Sequence, residues 1–462
     1  MGARSRQGCL PCRRRKKKCD EIQPVCTACQ RNCLGCDWPA PSFQQAQTQS
    51  RSSFDHPKVG AQSFWAKQPN GLAHVPLSLP SLFICRPNSF GPHTQSLIYH
   101  YVNDTANKIV CLQDNDNPFL HTIFPAAFGD DLLMHAILAL SGAHLMQRLP
   151  LASREIQRST WFNYVRALKA LRVGLSDGFK SISGVAPALH ALLVVLIFYI
   201  TEACTDIEAM GSHLRGANYL MDYILRTNPA SIQSSLGSYI VEVYVYHASL
   251  ASFTVGGSDL AILQSNLKAE TLTPQHGKVG MLSGCAQDLF GLMPKVSILL
   301  QTITEAGGRL DTQRRQLTQD YRDLRSSIAD WEPVCTELGA VHCASLYKLS
   351  ISLLLDLQFQ PETREEKAQY AFDDLKLLLS YLPPGTPYAT TVTWPLFIFG
   401  MIAREEKEVD MIRAYLHSLT SIFGIGLMGT TLAYLERVWK SGNHLDGLHR
   451  LVSNQNNMLL IC

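Results

Sequence analysis

Two copies of one cysteine spacing lie at the start of this chain and restrict what it can fold into. The spacing C-x2-C-x6-C occurs at Cys9, Cys12 and Cys19, and it recurs 17 residues later at Cys26, Cys29 and Cys36. Every residue between the second and third cysteines is a cation, namely Arg13, Arg14, Arg15, Lys16, Lys17 and Lys18. Cysteines at metal-ligand spacing beside an unbroken basic run indicate a metal-built module that binds nucleic acid.

We expect metal ions rather than disulfide bonds to hold this segment together. Arg4 and Arg6 precede Cys9, but no apolar stretch typical of a secretory signal does. Disulfide-dense small domains belong to oxidising compartments, so clustered C-x2-C pairs in an intracellular chain favour zinc. Structural zinc takes four ligands, so one ion would leave two of the six cysteines unused, whereas two ions are satisfied if two cysteines bridge. The repeat selects Cys9 and Cys26, the leading cysteine of each half, as the bridging pair.

The other four cysteines divide between the two ions. Cys12 and Cys19 complete the first ion, and Cys29 and Cys36 complete the second. The segment resembles the Zn2Cys6 binuclear cluster of fungal transcription factors, including Pro24 in the loop between its halves. In that family the first and fourth cysteines bridge, which agrees with the pair selected by the repeat. The resemblance covers only about 30 of the 462 residues.

Cys33 leaves a second arrangement of metal open. With Cys26, Cys29 and Cys36 it forms a run that could hold one ion alone. That arrangement would give the first three cysteines of the chain an incomplete site and would ignore the repeat. The other interpretation of Cys33 is a spare thiol beside the cluster.

The two halves of the repeat have equivalent cysteines but different charges. We expect a short helix after each C-x2-C turn, basic in the first half and almost uncharged over residues 30–35 in the second. Arg and Lys match the O6 and N7 acceptors of guanine in the major groove. The resemblance implies a helix in that groove that reads a CGG-type triplet, with Arg15 and Lys16 at the base-reading positions. The cations expected to contact phosphates are Arg13, Arg14, Lys17, Lys18 and Arg31. The same basic run is typical of a nuclear-import signal or a solvated surface, and import is compatible with DNA binding.

Charge and composition divide the rest of the chain. The net charge is +3, but residues 1–36 hold nine cations and two acids, or +7, which leaves −4 for the remainder. After a zinc module at 1–39, residues 40–95 are rich in Gln, Ser and Pro without a sustained period, which predicts a disordered linker. No heptad repeat follows the cluster, so any homodimer is expected to form through residues beyond 96.

From residue 96 the composition is that of a large helical domain, which we assign to residues 96–455 with a tail at 456–462. Four apolar stripes at helical spacing are expected to face its core: Trp161, Tyr164, Val165, Leu168, Leu171 and Leu175; Leu214, Ala217, Met221 and Ile224; Ala371, Leu375, Leu378 and Leu382; Ile412, Tyr415, Leu419 and Ile422. The apolar run 188–200 is shorter than the ~20 residues that cross a bilayer, so we expect a buried helix. No convincing set of alternating strands is present, which makes the predicted fold mainly α.

This region is also similar to the fungal-specific transcription factor regulatory domain that follows many Zn2Cys6 clusters. The similarity rests on the order and spacing of short pieces: Asn117-Pro118-Phe119, the helix 131–145, His213-Leu214-Arg215-Gly216, Gly284-Cys285, Trp394-Pro395-Leu396-Phe397 and Leu435-Glu436-Arg437-Val438-Trp439. Periodicity alone predicts that the domain is helical. Its regulatory role is implied by the resemblance.

Patterns typical of enzymes are weak in this domain. The stretch 174–181 has glycines and a lysine, but its spacing departs from a phosphate-binding loop, so an ordinary turn is expected. H-E-x-x-H is absent from the sequence. Five histidines in or near apolar helices are expected to be hydrogen-bonded core residues: His100, His135, His144, His190 and His213. The cysteines outside the cluster are scattered and are expected to be buried small apolar residues.

Two hypotheses about function remain. The first is a nuclear, zinc-dependent, sequence-specific DNA-binding transcription factor of the RNA polymerase II type, with two Zn2+ ions and a helical domain that receives signals or partners. Its partners would be double-stranded DNA, transcription machinery or co-regulators, and a second copy through the helical domain. The alternative is a helical enzyme or interaction protein that a zinc module tethers to nucleic acid. The cation run, confined to the first half of the repeat, favours the first. The resemblance further implies control of metabolic or secondary-metabolite genes.

Overall fold

A computed structural model gives the fold of the chain. It describes residues 9, 12, 15, 17–21, 26–31, 93–111, 117–149, 154–182, 186–205, 210–253, 257–267, 280–306, 314–360 and 363–441. The chain divides into two compact units, Met1–Leu77 and Ser78–Cys462. Of the predicted linker, only residues 93–95 are among those described. Helix α2 begins at Thr94, two residues before the predicted start of the helical domain.

The N-terminal unit contains the helix α1, Thr27–Arg31, directly after Cys26. The sequence predicted a short helix after this C-x2-C motif, over residues 30–35, whereas the observed helix begins within the motif and ends two residues after Cys29; residues 32–35 lie outside the described residues. The Asp20 carboxylate accepts hydrogen bonds from the backbone N–H of Thr27, with N···O distances of 3.1 and 3.3 Å. The first backbone N–H groups of a helix have no hydrogen-bond partner within the helix, and the Asp20 carboxylate accepts from one of them. Its negative charge also complements the positive end of the helix dipole.

The large unit is helical over most of its described length. Its α-helices are α2 Thr94–His100, α3 Ala106–Lys108, α4 Phe124–Ala127, α5 Asp131–Arg148, α6 Arg154–Ser176, α7 Pro187–Thr205, α8 Met210–Thr227, α9 Ser235–Ala251, α10 Gly257–Leu267, α11 Gln287–Ala306, α12 Arg314–Ala329, α13 Leu338–Phe359, α14 Arg364–Tyr381, α15 Thr393–Ile402, α16 Glu406–Phe423 and α17 Gly426–Ser441. π-helical turns occur at Tyr101–Thr105 and Phe119–Ile123, and 3-10 turns at Pro229–Gln233 and Pro387–Thr391. The predicted mainly α fold is confirmed.

Local sequence explains several helix ends. Asp130 caps α5, since its side chain accepts from the backbone N–H of Leu133 at 2.9 Å. Glu405 and Glu408 form a capping box at the start of α16. The same helix ends at Gly424, whose φ of 66° is easily adopted only without a side chain.

Helix α7 lies at the centre of the core. Every side chain from Ala191 to Cys204 is buried, and α7 packs against α5, α8, α9 and α17. It is longer than the apolar run 188–200 that predicted it. Helices α7 and α13 are both long and apolar enough to cross a membrane by length and composition alone. Most of their apolar side chains pack in the hydrophobic core formed by the described residues of this unit, although Leu338 at the start of α13 is exposed.

Three of the four predicted apolar stripes face the core. On α8 all four members are buried. On α14 and α16 most members are buried, while Leu378 and Ile422 are half-buried and pack on the core. The 3.6-residue period therefore identifies the buried side of these helices correctly, although α8 and α14 also expose aromatic side chains such as Tyr219 and Tyr370.

The stripe predicted for α6 is wrong. Of its six members only Leu171 is fully buried and Tyr164 is half-buried; the other four are exposed by 37% to 43%. The side of α6 that faces the core carries small and polar residues instead: Ser159, Thr160, Asn163, Ala167, Leu171 and Gly174. A close approach to α5 causes this inversion, because a Cβ atom on Gly142 would lie 2.0 Å from Oγ1 of Thr160. Two helix backbones this close leave room only for short side chains between them.

Candidate metal centre and nucleic-acid interface

Five sulfur atoms of the N-terminal unit form one buried cluster. The cysteines Cys9, Cys12, Cys19, Cys26 and Cys29 are each at most 4% exposed. The Sγ···Sγ distances are 3.7 Å from Cys9 to Cys26, 3.6 Å from Cys9 to Cys29, and 3.6 Å from Cys12 to Cys26. Those from Cys12 to Cys29 and from Cys19 to Cys9 are 3.9 and 3.8 Å. Cys33 and Cys36 lie outside the described residues.

These distances fit zinc. Zinc bonds to thiolate at about 2.3 Å, and two ligands of a tetrahedron with that bond length lie about 3.8 Å apart. The separations between sulfur atoms that share an ion in the bridging scheme, 3.6 to 3.8 Å, are close to this value. They are also far longer than the ~2.05 Å of a disulfide bond. The ligand atoms of Cys9, Cys12, Cys19 and Cys26 all lie within 4.8 Å of one another, as one four-coordinate site requires.

The electrostatics of the sulfur cluster explain why it needs cations. Burial raises the pKa of the Cys12 thiol, and burial also raises the pKa of Cys19. Without a metal, Cys12 and Cys19 therefore resist ionisation, whereas at Cys26 burial is outweighed by hydrogen bonds from neighbouring groups, which lower its pKa to about 6. Zinc binds the thiolate form. Backbone amides support the ionised form: the N–H of Cys29 donates to Sγ of Cys26 at 3.4 Å, and the N–H of Glu21 donates to Sγ of Cys19 at 3.5 Å. Such outer contacts orient metal ligands and spread their charge.

The basic run lies at the surface beside this cluster. Arg15, Lys17 and Lys18 are exposed, while Cys12 and Cys19 at the two ends of the run are buried. The backbone N–H of Lys17 donates to the carbonyl of Cys12 at 3.0 Å, which folds the run into a turn anchored on a metal-ligand candidate. Arg13, Arg14 and Lys16 lie outside the described residues, and Arg31 is the last residue of α1. The described cations are therefore available to an anionic partner.

Sequence reasoning missed the role of Asp20. Asp20 lies seven residues before Thr27 in the chain, and its carboxylate accepts a hydrogen bond from the first backbone N–H of α1. Asp and Asn are the residue types that commonly accept from helix N-terminal amides, but only the folded chain shows which helix Asp20 reaches.

The five histidines of the large unit that were expected to be core residues each have a polar partner. His100 and His144 share a hydrogen bond of 3.0 Å, and His135 bonds to Asn163 at 2.7 Å. His190 lies 3.3 Å from Asp130, and Nε2 of His213 lies 2.9 Å from Glu202. Side-chain contacts thus account for all five without a metal.

One histidine cluster has the proximity of a metal site but an unfavourable charge. Ligand atoms of His100, Asp104 and His144 lie within 4.8 Å of one another. Nε of Arg148 already lies 3.3 Å from the Asp104 carboxylate, and Nε2 of His144 donates to the carbonyl of Phe423 at 2.7 Å. The guanidinium supplies the positive charge that a metal would bring, so we interpret the cluster as structural.

The cysteines outside the cluster are less uniform than predicted. Cys111, Cys204 and Cys343 are buried, as expected for small apolar residues. Cys285 and Cys335 are only half-buried, and their side chains contact each other. They come from two segments about 50 residues apart in the chain, so no local sequence pattern signals this contact.

A sulfur cluster with zinc geometry, a basic surface beside it and a separate large helical unit define a metal-dependent DNA-binding regulator. Two family models match this chain. Residues 7–45 match the fungal Zn(2)-Cys(6) binuclear cluster domain, and residues 96–457 match the fungal specific transcription factor domain. The chain belongs to the Zn2Cys6 fungal transcription factors. The cluster domain of this family holds two zinc ions, and four of the described cysteines, Cys9, Cys12, Cys19 and Cys26, have their sulfur atoms within 4.8 Å of one another.

Individual relatives match parts of the chain. The zinc cluster transcription factor CZF1 of Candida albicans is 42% identical over 62 residues, which is 12% of this chain and 16% of that protein. The transcriptional activator protein UGA3 of Saccharomyces cerevisiae is 28% identical over 221 residues, or 43% of this chain and 41% of that protein. The Zn(2)-C6 fungal-type transcription factor afumD of Aspergillus fumigatus is 29% identical over 147 residues, or 32% and 34%. The matches therefore span less than half the length of these relatives. No solved structure matches.

Proposed function

We propose that this chain is a nuclear transcription factor of the RNA polymerase II type that reads CGG-like triplets and controls metabolic or secondary-metabolite genes. The observation that carries the proposal is the exposed basic turn folded onto a buried sulfur cluster of zinc geometry. The turn offers cations to DNA on a rigid support, which base-specific contact requires. Nuclear location is supported by the same basic run, which has the composition of an import signal.

Within this proposal, Cys9 and Cys26 bridge the two zinc ions. The described geometry supports the first of the two ligand sets, since the four sulfur atoms that lie within 4.8 Å of one another are those assigned to the first ion. The second set adds Cys29, which lies 3.6 Å from Cys9, and Cys36. Cys33 takes no part in either set and is a spare thiol.

The cations of the first half divide between two tasks. Arg15 and Lys16 read guanine edges in the major groove, where a bidentate contact discriminates against the wrong base by about 1–3 kcal/mol. The phosphate contacts come from Arg13, Arg14, Lys17, Lys18 and Arg31, and they set register without reading sequence. The exposure of Arg15, Lys17 and Lys18 agrees with both tasks.

The helical unit contains the surface through which two copies dimerise and the docking sites for transcription machinery or co-regulators. One zinc module covers few base pairs, so useful specificity needs a second module. Because the sequence has no heptads after the cluster, the second copy is recruited by residues beyond 96. The fungal specific transcription factor domain matched there is the natural place for that contact.

The division of tasks is tested with two single substitutions in one basic run of the full chain. Lys16→Ala should abolish the preference for a CGG-containing duplex over a random duplex of equal length. Lys18→Ala should weaken both duplexes alike and lower the slope of log affinity against log salt by about one unit. Fluorescence anisotropy at three or more salt concentrations measures both quantities. Equal weakening of the two duplexes by Lys16→Ala would show that the run is an electrostatic tether and would refute the proposed reading.

A further inference from the structure

Helix α6 presents an unusual surface for the outside of a domain. Among the described residues, 15 large apolar side chains are exposed, and six of these belong to this one helix: Trp161, Phe162, Val165, Leu168, Val173 and Leu175. The same helix exposes five cations, Arg154, Arg158, Arg166, Lys169 and Arg172, against the single acid Glu155. Exposed apolar residues concentrated in one patch mark interaction sites.

The exposed side of α6 is fixed by the fold and cannot turn inward. Thr160 lies against Gly142 of α5, and the Asn163 amide bonds to the Ser159 carbonyl at 2.7 Å and to His135 at 2.7 Å. The opposite side must therefore face outward. With 100° per residue, Trp161, Val165 and Leu168 form an apolar ridge that Arg158 and Arg172 continue at its two ends, and Lys169 lies beside it.

Helix α14 presents the complementary surface. It exposes Tyr370, Leu377 and Tyr381 by 64%, 54% and 55%. The exposed acids of this helix are Glu365, Glu366, Asp373 and Asp374, and its single exposed cation is Lys376. Glu365 is engaged by Arg404 at 2.6 Å. At helical spacing, Glu366, Asp373 and Asp374 share one face with the three exposed apolar residues.

We propose that α6 of one copy docks on α14 of a second copy, and that α14 of the first copy docks on α6 of the second. A contact between two α6 helices would oppose rows of like charge, which is unfavourable. Residues 40–92 of the same chain contain a single acid, Asp55, so they do not complement α6. In α14 the chain itself carries an acidic face with exposed apolar residues, and charge complementarity therefore selects a second copy.

The reciprocal arrangement also follows from size. At 1.5 Å per residue, α6 is about 35 Å long and α14 about 27 Å, so one helix pair covers only a few hundred Å2. A stable interface needs about 800 Å2 per partner. A twofold pair forms two such contacts at once, because each copy gives one basic and one acidic face. The opposite charges on α6 and α14 then fix how the exposed apolar residues of the two helices align.

This inference supplies the dimer of the proposed function and therefore rests on it, but the test needs no DNA. Sedimentation of the full chain is compared for two variants. Variant A carries Arg158→Glu, Lys169→Glu and Arg172→Glu, so both of its faces are acidic. Variant B carries Glu366→Lys, Asp373→Lys and Asp374→Lys, so both of its faces are basic. Each variant alone should associate at least tenfold more weakly than the native chain.

The decisive measurement is a mixture of variants A and B. Each contact in the mixed pair again joins a basic face to an acidic face, so A and B should form a one-to-one heterodimer. A single chain carrying all six changes should self-associate like the native chain. The matched control places three reversals on other helices, Lys295→Glu, Arg315→Glu and Arg322→Glu, all at exposed positions, and should dimerise normally. Circular dichroism should show native helix content for every variant.

Other outcomes would overturn the inference. A native chain that stays monomeric, or a mixture of A and B that stays monomeric, would exclude the contact between α6 and α14. Growth into larger oligomers with concentration would exclude the closed pair. If instead α6 binds anionic phosphatidylserine vesicles or random duplex DNA, variant A should lose that binding while its sedimentation stays native. A native chain that stays monomeric but still binds a CGG-containing duplex would show that this inference fails while the proposed function stands.

Discussion

Gly142→Ala tests the close approach of α5 and α6 that turns the apolar side of α6 outward. The new Cβ atom would lie 2.0 Å from Oγ1, 2.8 Å from Cβ and 2.9 Å from Cγ2 of Thr160. Overpacking of a well-packed site typically costs about 1–3 kcal/mol. Alanine in a helix interior recovers about 0.5–1 kcal/mol relative to glycine. We therefore expect a net destabilisation of about 1–2 kcal/mol.

A matched control has the opposite sign. Gly291 in the interior of α11 has open space where an alanine Cβ would lie, with nothing within 4 Å, so Gly291→Ala should stabilise the chain by about 0.5–1 kcal/mol. Combining Gly142→Ala with Thr160→Ala removes two of the three close atoms and should restore part of the loss. Denaturant midpoints followed by circular dichroism rank the four proteins. A Gly142→Ala chain as stable as the native one would contradict the packing argument.

Three further outcomes are expected. Elemental analysis of the full chain should give two zinc ions for the native protein and for Cys33→Ala. Cys9→Ala should hold none, because a bridging ligand serves both ions. One zinc ion in the native chain would contradict the bridging scheme. Glu202→Ala should destabilise the domain by about 1–3 kcal/mol, since the Tyr164 hydroxyl donates a hydrogen bond to the buried Glu202 carboxylate at 2.6 Å. Unchanged thermal melts would show that this hydrogen bond does not stabilise the domain. Burial, with the nearby His144 and Arg148, lowers the pKa of His100 to about 4, so the stability that its neutral form contributes is present above pH 6.5 and is lost as the pH falls through 4. His100→Gln should flatten that part of the profile of unfolding free energy against pH, and an unchanged profile would count against this assignment.

The metal centre could be predicted from the sequence because its chemistry is local. Six cysteines within 28 residues at repeated spacing leave few ways to complete tetrahedral zinc sites. The five that are described come together at ligand distances. The mainly α fold was equally accessible, since helical periodicity repeats within each segment and needs no knowledge of distant residues.

The orientation of α6 could not be predicted from its own residues. Its apolar stripe has the period of a core-facing helix, but Gly142, which lies on another helix, decides which side faces inward. The contact between Tyr164, Glu202 and His213 has the same character, because its members come from three different helices. Periodicity shows that a helix has an apolar and a polar side. Which of the two sides is buried depends on the helix that packs against it.

The same limit applies to charge. A net charge of −4 over residues 37–462 gives no hint that α6 exposes five cations and one acid, while α14 exposes four acids and one cation. The exposed positions of the two helices have opposite signs, +4 on α6 and −3 on α14, so a sum over the domain hides both, although each helix extends over about 30 Å. Screening at physiological salt acts over about 8 Å, so a docking surface responds to charges on the facing helix and hardly to the total. A partner for this domain is therefore to be sought by comparing helix faces, and among the described helices α14 of a second copy complements α6 in charge and in exposed apolar residues.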